Sequence, residues 1–175
     1  MLGDEFMQWG FINGSPNAQG HTYQLAQYLL DGQSKVDWNL VNYQIAQLGQ
    51  QRHAKTDEFM DVVSEVSHAD ALLIGTPIYW SDMTGLLKTF LDRCTMVARQ
   101  FDFTDIPVYL LVNGTQTPDQ TAQGIAPAVS QLCEFLKMDY QDTIYVDTSK
   151  VVQPSDYTSA LHKQQEQLHT FVNVR

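Results

Sequence analysis

Apolar and polar positions follow two different periods along the chain, and the switches between them mark its elements. A short apolar run over residues 8–13 (QWGFIN) stops at Gly14, and from Thr22 onward Leu25, Ala26 and Leu29 recur at helical spacing, so the stretch predicts strand, loop, helix. Residues 36–41 (VDWNLV) alternate with a period of two, as a strand near a sheet edge does. After a polar connection, Thr56 is placed to cap a helix with Asp57 and Glu58 in its first turn and a buried stripe of Phe59, Val62, Val63 and Val66. Residues 69–75 (ADALLIG) and 106–112 (IPVYLLV) are almost continuously apolar, the pattern of parallel strands covered on both faces. A helical stripe follows each. The first carries Leu86, Leu87, Phe90, Leu91 and Cys94; the second carries Ile125, Val129, Leu132, Cys133 and Leu136, and Pro127 sets its start near Ala126. Residues 143–147 (TIYVD) predict a fifth strand, and Ser155 caps a last helix with Tyr157, Leu161, Leu168 and Val172 inward.

Five strand-helix units in this order, with the most apolar strands third and fourth, predict the α/β class. The expected architecture is a doubly wound five-stranded parallel sheet of order 2-1-3-4-5 in a three-layer αβα sandwich, one domain over residues 1–175. Such sheets bind ligands outside the carboxyl ends of their strands at the switch in strand order, here between strands one and three. That rule selects two loops, residues 14–22 (GSPNAQGHT) and 76–85 (TPIYWSDMTG).

Composition removes several alternatives. A net charge of −10 argues against nucleic acid and anionic membranes as partners. The first residues are acidic where a secretory signal is basic, and the apolar runs are too short to span a bilayer, so a cytoplasmic location is expected. Cys94 and Cys133 have neither CxxC nor Cys/His spacing and read as buried thiols; no metal site is predicted.

The first loop opens a helix without contributing a lysine or arginine. Unpaired N–H groups and the positive end of the helix dipole favour an anion there, and Ser15, Thr22, Asn17 and Gln19 add hydroxyls and amides. The GxGxxG fingerprint is absent, and a Walker A loop fails in its glycine spacing and in having His21 where lysine should stand. A monophosphate suits the loop better than a triphosphate. Tyr79, Trp80 and Met83 in the second loop are unusual in a connection and are explained by a flat, polarizable ligand; covering the core or a subunit contact is the competing reading. A flat ring with one phosphate is flavin mononucleotide (FMN).

GSPNAQGHTYQLA after the first strand and GTPIYWSDMTGLLKTFLDR after the third resemble the NAD(P)H-dependent FMN reductases of the flavodoxin-like superfamily. The resemblance implies FMN with its phosphate at Ser15, Asn17, His21 and Thr22, its ring along Pro77, Ile78, Tyr79 and Trp80, and its pyrimidine edge near Asn113, Gly114 and Thr115. It also implies NADH or NADPH as co-substrate, a homodimer, and a small acceptor such as a quinone, flavin, azo or nitro compound. Trp80 and Met83 would shape the substrate pocket, and no side chain is expected to act as general acid or base. The family commonly has a basic residue at the position of Asn17 and Asn or Ser at that of His21. His21 is either a phosphate donor or a helix cap; His53, His68, His162 and His169 are expected at the surface, and Lys88 with Asp92 as a structural ion pair. A flavodoxin-type electron carrier and a flavin-free interaction or signalling module on the same fold are the alternative functions.

Overall fold

A computed structural model describes residues 7–150 and 155–172, without the side chains of 150, 155, 159, 160, 171 and 172. Strands β1 (Gln8–Asn13), β2 (Ser34–Asn39), β3 (Ala71–Pro77), β4 (Pro107–Gly114) and β5 (Asp139–Asp147) form one parallel sheet in the order β2-β1-β3-β4-β5. β3 and β4 lie in the middle and are buried almost throughout, which is why their sequences carry no polar alternation.

Two cores sandwich the sheet. Helices α1 (His21–Leu29) and α6 (Ser155–Val172) cover one face, where Trp9, Phe11, Leu73 and Leu111 pack against Leu25, Leu29, Tyr157 and Leu161. Helices α2 (Phe59–Val66), α3 (Gly85–Cys94) and α5 (Ile125–Leu136) cover the other, with Ile12, Leu72, Ile74 and Leu110 meeting Val63, Leu87, Phe90, Val129 and Cys133. A short helix α4 (Pro118–Thr121) stands between β4 and α5 and has no counterpart in the apolar pattern, since a single turn shows no period. Among the described residues no helix is long and apolar enough to cross a membrane, and no cluster of His, Cys, Asp and Glu is placed to hold a metal. Cys94 and Cys133 are buried free thiols, and burial pushes both up to about 12.

Element boundaries depart from the sequence expectation in three places. β2 begins at Ser34 and ends at Asn39, because Leu40 and Val41 turn into a short 3-10 segment. β5 is longer at its start than residues 143–147, since an irregularity opposite Val108 and Tyr109 lets Asp139 and Tyr140 join the ladder. α2 starts at Phe59, and Thr56 does not cap it; the Thr56 hydroxyl bonds Gln44 instead. The inward positions Tyr157, Leu161 and Leu168 of α6 are buried as expected, while the Ser155 cap and Val172 fall on side chains outside the described set.

Asp57 stands just before α2, where its Oδ1 accepts from the Phe59 N–H at 3.4 Å, and it is shared with Arg93. The guanidinium, 2 % exposed, pairs with Asp57 at 2.8 Å, donates to the Ala46 carbonyl at 2.8 Å and lies 4.4 Å above the Phe59 ring. It pins the connection 43–58 onto α3. Lys88 and Asp92 form the expected i,i+4 pair on the exposed face of the same helix. Burial would raise the Asp57 carboxyl, but hydrogen bonds from Arg93 and the Ala46 N–H outweigh it and hold the group below the ordinary carboxylate range. A depressed folded-state pKa gives stability that is present above the unfolded value and lost as pH falls through the folded one. Asp57→Asn is expected to cost about 3 kcal/mol in urea unfolding at neutral pH, because it leaves a buried guanidinium uncompensated. The difference from the native chain should close below about pH 4, which a pH series of the same unfolding curves checks.

Candidate functional site

At the carboxyl end of β1 the chain must turn into α1 while pressed against its neighbours. Gly14 donates its N–H to the Gly75 carbonyl (2.8 Å), and its own carbonyl accepts from the Thr84 hydroxyl (2.6 Å). A Cβ at Gly14 would stand 2.7 Å from Leu87 Cβ and 3.0 Å from the Gly75 oxygen, so only glycine fits. Asn13, fully buried, shapes the next step: its Oδ1 accepts from the Ser15 N–H (3.0 Å) and its Nδ2 donates to Asn39 Oδ1 (2.8 Å).

The donors of this loop divide into engaged and free. Thr22 is buried, and its hydroxyl donates to Asn113 Oδ1 at 2.7 Å across from β4. What Thr22 can offer a ligand is therefore its backbone N–H. Ser15 Oγ accepts from the Asn17 N–H at 3.1 Å, which leaves the hydroxyl hydrogen to donate elsewhere. Asn17 is exposed, with its Oδ1 taken by the Gln19 N–H (3.2 Å). α1 has Gly20 as its N-cap and no side-chain cap, unlike α3, whose cap Thr84 accepts from the Leu87 N–H at 3.1 Å. The first-turn N–H groups of α1 are thus open to an anion. His21 does not cap the helix; its Nδ1 lies 3.1 Å from the Tyr157 hydroxyl of α6.

The second loop is a tight hairpin standing on β3. Tyr79 and Asp82 exchange both backbone hydrogen bonds (2.9 and 3.1 Å), and the two residues between them, Trp80 and Ser81, have φ of 52° and 63°. Two positive φ values make a type I′-like turn, which ordinarily selects Asn or Gly, so Trp80 and Ser81 are held there at roughly 1–2 kcal/mol each. The turn presents Trp80 99 % exposed and Tyr79 52 % exposed above the crevice. Met83 points the other way, buried at 6 % in the core beneath the hairpin. Pro77 and Ile78 are half-buried, and the Ile78 N–H donates to the Asn113 carbonyl at 2.9 Å.

The third wall is the end of β4. Asn113 is buried with its Oδ1 held by Thr22, Gly114 lies over Ile78 so closely that a Cβ there would stand 3.0 Å from Ile78 Cδ1, and Thr115 is exposed. Gln116 and Thr117 both have positive φ, which turns the chain sharply before α4 starts at Pro118.

The fold thus brings Ser15, Thr22, Ile78, Asn113 and Gly114 together, places Asn17, His21, Tyr79, Trp80 and Thr115 on the rim, and sets Met83 beneath. Sequence reasoning missed Asn13, Thr84 and Tyr157. Thr84 had a signal, a threonine directly before a helical apolar stripe; Tyr157 had none, since its contact with His21 spans 136 residues of chain.

Known proteins resemble the chain in sequence and in fold. A Bacillus subtilis protein, YwqN, named as an NAD(P)H-dependent FMN-containing oxidoreductase, is 25 % identical over 148 residues, 77 % of this chain and 82 % of that one. The fold matches a flavone reductase with a TM-score of 0.74 at 15 % identity, covering 96 % of this chain and 64 % of that one. It also matches an FMN-dependent NADH-azoreductase from Bacillus anthracis, solved in complex with FMN, with a TM-score of 0.67 at 11 % identity over 95 % and 99 % of the two chains. The model of the NADPH-dependent FMN reductases matches residues 7–164, nearly the whole of the described sheet and its helices, and the chain belongs to that family.

Proposed function

We propose that this protein is an FMN-dependent NAD(P)H oxidoreductase that passes reducing equivalents to a small acceptor such as a quinone, a flavin, or an azo or nitro compound. The observation that carries the reading is the juxtaposition, at one edge of the sheet, of an uncapped helix start and an exposed aromatic hairpin. The donor set fits FMN. The free Ser15 hydroxyl, the first-turn N–H groups at His21 and Thr22 and the exposed Asn17 would hold the phosphate. Pro77, Ile78, Tyr79 and Trp80 would lie along the ring, and Asn113, Gly114 and Thr115 would face its pyrimidine edge.

FMN, when bound, would supply the hydride chemistry that links a nicotinamide to the acceptor. The chain's own residues hold and shelter. The Gly114 and Thr115 N–H groups would be the donors facing the ring's pyrimidine edge, where preorganised donors favour negative charge. Trp80 forms a wall of the substrate pocket, and Met83 supports that wall from below by filling the core under the hairpin. No side chain is assigned a general acid or base role. The chain would act as one domain and as a homodimer in a reducing, cytoplasmic setting, which suits its two free buried thiols. The strained, fully exposed Trp80 favours an enzyme with a built acceptor pocket over a carrier.

Titrating the protein with FMN and adding NADH or NADPH without oxygen should perturb and then bleach the flavin spectrum; an FMN spectrum unchanged by the protein would remove this function. Trp80→Ala should leave stability within about 0.5 kcal/mol, because the ring touches almost nothing. The same variant should lower FMN affinity or turnover, and unchanged values of both would clear Trp80 of the role. Thr22→Val strands the buried Asn113 Oδ1 and is expected to cost about 1–3 kcal/mol in thermal or urea unfolding, with weaker FMN binding as the first and third loops uncouple.

A further inference from the structure

The three loops of the site hold one ionisable cation. Residues 14–22, 76–85 and 113–117 contain no lysine or arginine, and their ionisable side chains are His21, Tyr79 and Asp82. Asp82 Oδ1 is held by the Met83 N–H at 2.7 Å, on the far loop. His21 is exposed at the first position of α1, beside the open N–H groups.

Tyr157 decides which nitrogen of His21 carries hydrogen. A tyrosine hydroxyl has one hydrogen, and Tyr157 donates it to Gln24 Oε1 at 3.0 Å. The orientation of that amide is fixed by Gln24 Nε2 donating to the Gln19 carbonyl at 3.3 Å. Toward His21, 3.1 Å away, the Tyr157 oxygen can then only accept, so Nδ1 bears the hydrogen. Burial, with Asp156 adding to it, raises the Tyr157 hydroxyl above its ordinary value and keeps it protonated. In this tautomer a neutral His21 presents a lone pair at Nε2, the ring nitrogen that Tyr157 does not engage. Only the protonated ring has an N–H there to give an anion.

Resting on the FMN reading above, we infer that His21 is the proton-linked ligand of the flavin phosphate: FMN binding takes up one proton from solvent at His21 Nε2, and Tyr157 is the positioning residue that imposes this requirement. A phosphate next to a neutral His21 would meet an acceptor; next to the protonated ring it meets a charged donor. The surroundings add no competing cation at the start of α1. β1 and β3 carry no ionisable side chain, and β4 carries Tyr109, toward the opposite end of its strand. α6 contributes Asp156 and Tyr157 in its first turn, with His162, Lys163, Glu166 and His169 further along. A titrating group, His21, thus stands where the resembled family commonly has Asn or Ser, and Asn17 stands where that family commonly has a permanent charge.

The test is calorimetric titration of the full chain with FMN and with riboflavin, from about pH 6 to about pH 8.5, in buffers of different ionisation enthalpy. The phosphate itself loses its second proton near pH 6, so the decisive comparison lies above pH 7, where it is already dianionic. FMN should bind the native chain with uptake of a proton, and its Kd should weaken about tenfold toward the alkaline end. Riboflavin, lacking the phosphate, should show neither effect. His21→Asn should abolish uptake and flatten the FMN profile. Tyr157→Phe frees Nδ1 to give up its hydrogen, so the neutral ring can donate from Nε2; uptake should shrink and alkaline affinity should be retained. FMN binding without proton uptake, or uptake that persists in His21→Asn, overturns the inference while leaving the flavin reading intact. Failure of both FMN and riboflavin to bind overturns both.

Discussion

The close approach at Gly14 is the contact on which the site depends. Its N–H and carbonyl are both tied, to the Gly75 carbonyl of β3 and to the Thr84 hydroxyl that caps α3, and Leu87 fills the space where a side chain would start. The ends of β1 and β3 and the start of α3 are therefore fixed as one unit. Thr22 extends that unit to β4 through Asn113, so all three loops are referred to the same rigid edge. A site built this way does not rely on the loops' own stiffness.

The electrostatics run against the overall charge. A chain with a net charge of −10 repels anions at long range, yet the loops that would take a phosphate contain no lysine or arginine. Attraction comes from fixed local dipoles, the uncapped first turn of α1, the Ser15 hydroxyl and the amides, with His21 as the one side chain able to add a positive charge. These act at contact distance and are already oriented, so they lose little to reorganisation. Neighbouring α3 shows the contrast, because its first turn is satisfied by Thr84 and has less to offer an anion.

Energy is stored and recovered at different places. The hairpin holds Trp80 and Ser81 at positive φ and leaves an indole wholly in water, arrangements that oppose folding. Met83 and Ile78 beneath it, and the Thr76 and Thr84 bonds below them, hold the turn in place from the core side. On the far side of α3, Arg93 gathers Asp57, Ala46 and Phe59 and makes the long connection after β2 part of the same body.

The sequence alone determined the sheet order, the two faces and the crevice, because periodicity and continuous apolar runs are local signals of burial that β3, β4 and the helices obey. It also located the loops, since an uncharged donor-rich stretch and adjacent aromatics in a connection stand out residue by residue. The tertiary structure decided what each donor is free to do. The Thr22 hydroxyl is turned away by Asn113 from another strand, Asp57 is shared between the start of α2 and an arginine on α3, and the ring hydrogen of His21 is assigned by a tyrosine from the last helix. The physical reason is common to all three: a polar group has few hydrogen-bonding positions, and distant partners compete for them only after the chain has folded.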